Sequence, residues 1–552
     1  MKMSVADLQK DTLAEVTLAE VKDWKKNFRF EAGKLRLIPK KTTFRPIMTF
    51  NKKIMDSSGK STRQTTNTKL LNSHLMLKTL KNRMFKDPFG FAVFNYDDVM
   101  KKYEEFVLKW EKVNKPKLYF VTMDIEKCYD SVDREKLATF LKTTQLLSPD
   151  FYIMTAQILK RKNNIVIDSK NFRKKEMKDY FRQKYQKIAL EGGQFPSLIN
   201  VLENDQNELN AKKTLVVEAK KRHNYKKDNL LLPVIGICRQ NYIQFNGKHY
   251  KQTKGIPQGL CVSSILSSFY YASLEENSLG YLRDENIDPE DPNINLLMRL
   301  TDDYLLITTK ENNAILFIEK LINVSRNNGF KFNMKKLQTN FPLDPTKLKK
   351  YGMDSVQEQN IAQGCIDWIG ISIDMNSLAL MPNINLRRKG ILCTLNLNMQ
   401  TKKASMWLKK KLKSFLMNNI THYFKKTITN VEFANNTLNK LYISGAYKYM
   451  QCSIEYKEHF KNNKEIYDKI DITICRIIYS VTRAFFKYLV CNIEGSIFEE
   501  EQYPHFFFSV LKHFIEIFST KKYIFSGVCR ILRAKEQKII DGGNSELIAY
   551  NE

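Results

Sequence analysis

The stretch "KLYFVTMDIEKCYDSV" (117–132) runs apolar up to Thr122 and then delivers an acid, Asp124. Further on, "LMRLTDDYLLITT" (297–309) sets two more acids, Asp302 and Asp303, between two apolar runs. The first stretch reads as a buried strand, and the second as two short strands joined in a tight hairpin with the acids at its turn. Asp is common in turns, so two ordinary acidic turns are one reading. The other places these strands side by side in one sheet, where three carboxylates would crowd one point. Such a cluster repels itself and calls for a dication. Hard oxygen ligands select Mg²⁺, which binds through one or two carboxylates and keeps positions for substrate phosphates. Two such ions would stabilise the attacking and leaving oxygens of an in-line phosphoryl transfer.

The 552 residues exceed what one compact core accommodates and predict two to four subdomains. A hydrophobic content of 43% with 12% aromatics excludes a mostly disordered chain. Lys and Arg number 90 against 59 Asp and Glu, leaving +31, an excess that points to a polyanionic partner such as nucleic acid. A merely solubilised basic surface is the alternative. The nine cysteines are scattered singly, with no CxxC or Cys/His cluster, which argues against a zinc site or a disulfide framework and predicts a reducing compartment. The first twenty residues carry no apolar signal core, and no run approaches the ~20 apolar residues of a membrane span, so a soluble intracellular protein without a membrane partner is expected.

Residues 4–26 have helical spacing, as do 68–84 and 96–110, whereas 33–50 alternate apolar and basic residues around two prolines and predict two strands joined by a turn. Between 140 and 250 the basic stretches "FRKKEMKDYFRQKYQK" (172–187) and "AKKRHNYKK" (219–227) read as helical, an insertion that touches phosphates or another chain, or a solvated face. Past 378 the chain reads as helical, basic and aromatic, with most aromatics in a core and the interleaved lysines free for backbone contacts. "KQTKGIPQGLCVSSILSSFYYA" (251–272) is a Gly-Pro loop entering a helix of small residues. Gly255 and Gly259 would let the backbone approach a ligand closely.

In order and spacing, "LRLIPK", "FRPIM", "MDIEKCYD", "KGIPQG", "LTDDY", "GFKFNMKK" and "DWIG" resemble the reverse transcriptases, and most of all telomerase reverse transcriptases of the ciliate type. Three details resemble telomerase in particular: the long insertion before "KGIPQG", Leu300 where retroviral enzymes carry an aromatic residue, and the "WIG" turn. The resemblance runs from about residue 5 to the end. It implies an α/β (α+β) right-hand polymerase with fingers, a mixed-sheet palm carrying the catalytic carboxylates, and a helical thumb. The expected division is an N-terminal helical remnant (1–26), a reverse transcriptase domain (27–378) and a thumb extension (379–552). Within the reverse transcriptase domain the fingers would span 27–115, the palm 116–139 and 246–378, and an insertion 140–245.

The resemblance further implies that Asp124, Asp302 and Asp303 hold two Mg²⁺ ions, with the Ile125 carbonyl as an added ligand. Lys40 and Arg45 would clamp the triphosphate, one as a point charge and the other as a fork of donors. Tyr129 would lie under the sugar and disfavour a 2′-OH, and Gln258 and Gly259 would border the nascent base pair. Lys336 fits the general acid that protonates departing pyrophosphate, with Lys335 as its neighbour and rival. Trp368, Ile369 and Gly370 would grip the primer end. Each has a plainer alternative: an exposed lysine, a core Tyr, a core Trp beside a glycine turn, a solvated strand edge.

The implied partners are an RNA template, a single-stranded telomeric DNA primer, dNTPs and accessory proteins, in the nucleus at chromosome ends. One departure stands out: only 33 residues precede "KLRLIPK", so the family's RNA-binding region is not represented, and the chain reads as a C-terminal portion. Rival readings are a mobile-element reverse transcriptase, of group II intron or non-LTR type, and a catalytically idle nucleic-acid-binding paralogue. The lack of an HNH-type Cys/His cluster past 378 weighs against the intron version.

Overall fold

The computed structural model describes residues 12–39, 44–55, 60–86, 89–167, 174–191, 214–218, 223–343, 364–383, 404–417, 431–492, 498 and 500–542. The chain divides into two compact units, Met1–Val99 with Pro116–Asp168 and Arg173–Gln357, and Met100–Lys115 with Ser169–Phe172 and Glu358–Glu552. In chain order come β1 (Leu13–Val16), α1 (Leu18–Phe28), β2 (Gly33–Pro39), β3 (Phe44–Thr49), α2 (Leu71–Lys86) and β4 (Ala92–Val93). After α3 (Tyr96–Lys112), most of which belongs to the second unit, follow β5 (Tyr119–Asp124), α4 (Arg134–Thr143), β6 (Asp150–Ile167), β7 (Lys174–Glu191), β8 (Thr214–Glu218) and β9 (His223–Lys226). The first unit closes with α5 (Lys227–Arg239), β10 (Tyr242–Phe245), β11 (Lys248–Gln252), α6 (Ser263–Leu279), β12 (Asn295–Leu300), β13 (Asp303–Thr308), α7 (Glu311–Asn328) and β14 (Gln338–Thr339).

The sheet that matters to function has the order β14-β5-β13-β12-β4, antiparallel except for the parallel β12·β4 edge, and is therefore mixed. Its central strands are apolar on both faces because helices cover them: Phe120, Val121, Met298, Leu305, Leu306 and Ile307 are all buried. α7 lays Ala314, Phe317, Ile318, Leu321 and Ile322 on this core at helical spacing. It stops at Gly329, whose φ of 69° lets its N–H reach back to the carbonyls of Ser325 and Arg326. α4 starts on Asp133, whose carboxylate accepts from the Glu135 and Lys136 amides at 2.9 and 3.0 Å, a cap worth about 1 kcal/mol.

A second sheet, ordered β1-β11-β10-β2-β3, contains the two strands expected over 33–50. The helical expectation for 4–26 is corrected within the described residues. Leu13–Val16 form an edge strand paired with Gln252–His249, and the helix begins only after Thr17, whose hydroxyl caps the Glu20 amide. A four-residue strand inside a helically spaced window is decided by the partner edge rather than by local pattern. The helical expectation for 172–187 is also corrected over 174–187, residues 172 and 173 lying outside the described ones. β7 pairs antiparallel with β6, a strand rich in Ile, Val, Phe, Tyr and Thr, and this long ladder outweighs the spacing of basic residues. Of 219–227, His223–Lys226 form strand β9 against β6, Lys227 opens α5, and 219–222 lie outside the described residues.

Besides most of α3, the second unit contains a small antiparallel sheet, β15 (Cys365–Trp368), β16 (Ile371–Asp374) and β17 (Leu380–Pro382). Tyr103 on α3 is buried against it and donates its hydroxyl to the Leu378 carbonyl at 2.7 Å. Helices α8 (Ala404–Met417), α9 (Val431–His459), α10 (Ile470–Asn492), α11 (Tyr503–Ser519) and α12 (Lys522–Gly542) follow. The aromatics expected to form a core do so. Tyr442 meets Phe485 and Phe506 edge-on, and Tyr449 meets Phe514 at 6.2 Å between centroids.

Candidate active site

Antiparallel pairing sets Asp303 directly opposite Asp124 across β13·β5, and Leu300 opposite Asp303 across the hairpin. The turn is therefore only Thr301 and Asp302, with Asp303 the first residue of its strand. Thr301 has a φ of 61°, the left-handed conformation that tight hairpin turns of the mirrored types require at their first position. The Asp302 carbonyl accepts from the Ile125 amide at 2.9 Å, so the turn is fastened to the residue following Asp124. Three acids from distant parts of the sequence are thus carried on adjacent backbone by the register alone.

The segment after α7 completes the arrangement. Phe332 bridges Ile125, the Asn333 amide donates to the Asp124 carbonyl at 2.8 Å, and a 3₁₀ turn over Met334–Lys336 follows. That turn brings the Lys336 ammonium to the Asp124 carboxylate at 2.8 Å, although Lys336, like Lys335, is exposed. Burial, followed by the charges of Asp302 and Asp124, holds the Asp303 carboxyl well above the usual carboxylate range, with Lys336 acting in the opposite direction. Among the described residues, no three Asp, Glu, His or Cys side chains already converge as a cation cage. At this site Lys336 provides the compensating positive charge on Asp124. The donor set fits a hard cation nonetheless, since it consists of carboxylate oxygens on rigid strand ends.

The "KGIPQG" loop is built against the same unit, and its two glycines lie close against the protein's own backbone. Gly255 has a φ of 66°, and a Cβ there would lie 2.3 Å from the Tyr129 carbonyl oxygen. Gly259 has a φ of 131°, and a Cβ there would lie 1.9 Å from the carbonyl oxygen of Met48 on β3. The Ile256 amide donates to the Tyr129 carbonyl at 2.8 Å and the Met48 amide to the Gln258 carbonyl at 2.9 Å. Tyr129, Gln258 and Gly259 are therefore joined into one scaffold with β3, on which Arg45 pairs in register with Ile38. Lys40 lies outside the described residues. Trp368, Ile369 and Gly370 belong to the second unit. There Trp368 is buried, and Ile369 and Gly370, with φ of 43° and 82°, form the two-residue turn between β15 and β16.

Two supporting residues escaped the reading of the sequence. Arg134 on α4 donates to the Gln252 carbonyl at 3.1 Å and the Arg239 carbonyl at 3.2 Å, and its Nε reaches the Gly255 carbonyl, clamping the loop entrance. Arg299, the penultimate residue of β12, is wholly buried and ion-paired with Glu275 of α6. A single Arg inside the apolar run "LLMRL" was the available signal.

A mixed sheet with facing acids at its strand ends, backed by α6 and α7, is the palm of a right-hand nucleic-acid polymerase. Telomerase from Candida albicans, solved with a TWJ fragment of telomeric RNA, shares this fold at a TM-score of 0.52 and 16% identity, over 96% of this chain and 67% of that one. No family model matches the sequence. The chain is 78% identical over 551 residues to the telomerase reverse transcriptase of Euplotes aediculatus, covering 100% of this chain and 53% of that protein. It is 55% identical over 542 residues to that of Oxytricha trifallax, covering 98% and 48%, and 30% identical over 521 residues to that of Tetrahymena thermophila, covering 86% and 45%. The chain belongs to the telomerase reverse transcriptase family, which decides against the mobile-element reading. It spans about half the length of the curated relatives it matches.

Proposed function

We propose that this chain carries the RNA-templated DNA polymerase of a telomerase, adding dNTPs to the 3′ end of telomeric DNA in the nucleus at chromosome ends. The observation supporting this most directly is the register that sets Asp303 opposite Asp124 while Ile125 holds the Asp302 carbonyl. Asp124, Asp302, Asp303 and the Ile125 carbonyl would hold two Mg²⁺ ions. When bound, these supply Lewis-acid stabilisation to the attacking and leaving oxygens. In the reaction the primer 3′-oxygen bonds to the α-phosphorus, the bond to the β-phosphate breaks, and pyrophosphate departs.

Lys336 would deliver a proton to that pyrophosphate, a role supported by the position of its ammonium beside Asp124. General acids so placed contribute roughly 10²–10⁴-fold. Lys40 and Arg45 neutralise the triphosphate, Tyr129 crowds a 2′-OH, Gln258 and Gly259 border the new base pair, and Trp368, Ile369 and Gly370 steady the primer end. An RNA template, a single-stranded DNA primer and accessory proteins are the partners of this reading.

The test is primer extension by the purified chain on an annealed DNA primer and RNA template with dNTPs and Mg²⁺. Wild type is expected to extend and Asp302→Ala to lose at least about 10²-fold, since it removes a ligand of the ions that stabilise the developing charge. Equal extension by both would overturn the assignment. Intact nucleic-acid binding without wild-type extension would also overturn it, in favour of the idle paralogue.

A further inference from the structure

Behind the acidic turn lies a polar network that is out of reach of any substrate. Arg299 is 0% exposed, the largest fully buried side chain of the described residues, and its Nε pairs with the Glu275 carboxylate, itself 1% exposed. Its Nη2 donates to the Ser268 carbonyl at 3.0 Å, and its Nη1 donates to the Thr301 carbonyl at 3.0 Å. The guanidinium lies over the rings of Tyr271 and Tyr304, at 5.5 and 5.7 Å from their centroids. Glu275 is held in turn: its Oε1 accepts from the Tyr304 hydroxyl at 2.7 Å and its Oε2 from the Phe91 amide at 2.8 Å.

A buried ion pair is poor evidence of stability, because desolvation of two charges offsets much of their attraction and an apolar pair of like volume often serves as well. The geometry here indicates a different use. The one donor of Arg299 that leaves the core ends on Thr301, a β-branched residue whose φ of 61° is costly for any side chain except Gly and, to a lesser degree, Asn or Asp. Strained backbone of this kind persists only when its surroundings over-determine it.

We propose that Arg299, locked by Glu275, is a positioning residue that holds the strained Thr301 turn and thereby fixes Asp302 and Asp303 against Asp124. This rests on the polymerase reading above. The planar fork is essential to it, because one guanidinium must serve Glu275, Ser268 and Thr301 at once. A lysine retains the charge but cannot hold this geometry.

The experiment pairs hydrogen exchange of the Ile125 amide, which donates to the Asp302 carbonyl, with primer-extension kinetics. In Arg299→Lys, Ile125 exchange is expected to accelerate at least 10-fold while the core amide of Leu306 is unchanged. Extension should lose roughly 10–100-fold in kcat, with KM for dNTP moving less than threefold. Adding Thr301→Asn, which accepts the left-handed backbone unaided, should recover at least fivefold of that kcat. Thr301→Asn alone should slow Ile125 exchange at least threefold, and this variant keeps the test open should Arg299→Lys fail to fold.

Uniform acceleration of Ile125 and Leu306, or a kcat deficit that Thr301→Asn leaves untouched, would show a purely structural pair and overturn the proposal. Ile125 exchange that Thr301→Asn leaves the same or faster would do so as well. Loss of extension in wild type itself would strike the polymerase reading instead, and the exchange measurements would still decide the role of Arg299.

Discussion

Gly259→Ala offers a quantitative test of how the "KGIPQG" loop is held. A methyl at this position meets the Met48 carbonyl oxygen at 1.9 Å, and backbone of β3 cannot swing aside as the tip of a flexible side chain would. Three costs add. The φ of 131° belongs to a region that only glycine occupies freely, worth about 1–3 kcal/mol. Forcing loop and strand apart costs about 1–3 kcal/mol, as overpacking does elsewhere. Parting them also breaks the Met48 to Gln258 hydrogen bond, about 1 kcal/mol.

The total of about 3–7 kcal/mol is a large share of a domain's usual 5–15 kcal/mol. Gly247→Ala is the control. Its φ of 81° carries the backbone term, yet nothing lies within 4 Å of the added Cβ, so about 1–2 kcal/mol is expected. Thermal unfolding followed by circular dichroism should show a drop of more than about 6 °C for Gly259→Ala, at roughly 2 °C per kcal/mol, and a clearly smaller one for Gly247→Ala. In extension assays KM for dNTP should rise in Gly259→Ala alone. Equal destabilisation of the two variants would refute the close approach of loop and strand.

Two further expectations concern thiols and charge. Burial pushes the Cys128 thiol up to about 12, so iodoacetamide at pH 8 should leave it unmodified in the folded chain while the exposed Cys491 reacts, as mass mapping would report. Labelling of both at comparable rates would contradict the burial of Cys128. With +31 net charge, affinity for a nucleic-acid duplex should fall steeply between ~50 and ~200 mM salt in a titration, and a flat response would exclude phosphate-driven binding.

The palm was legible because its strands are buried on both faces and so read as unbroken apolar runs, with Asp124, Asp302 and Asp303 at their ends. That Asp303 faces Asp124 followed from the assumption that neighbouring strands pair, and the β13·β5 register shows this pairing. Lys336 was legible as a candidate, but not its resting partner, Asp124, since no local pattern records an ion pair across 212 residues. Gly255 and Gly259 were recognisable as close-approach positions, while the identity of what they approach depends on tertiary placement. Arg299 was hidden because its counter-charge, Glu275, lies on α6 just past the small-residue stretch 251–272 that the sequence singles out. Strand β1 was misread because it takes its form from β11, far along the chain, and β7 because its ladder with the preceding strand β6 outweighs the spacing of its basic residues.

The edge strand β1 has one more implication. Its last backbone contact joins the Thr253 amide to the Thr12 carbonyl at 2.8 Å, one residue before the "KGIPQG" loop begins. Polypeptide arriving at Thr12 is thus in mechanical series with the loop: a load on the chain ahead of β1 is borne first by the hydrogen bond at Thr253. Were β1 to peel away, β11 would become the open edge of its sheet, with unpaired backbone groups running up to the Thr253 amide. A four-residue strand therefore serves as the latch that keeps the loop's approach rigid.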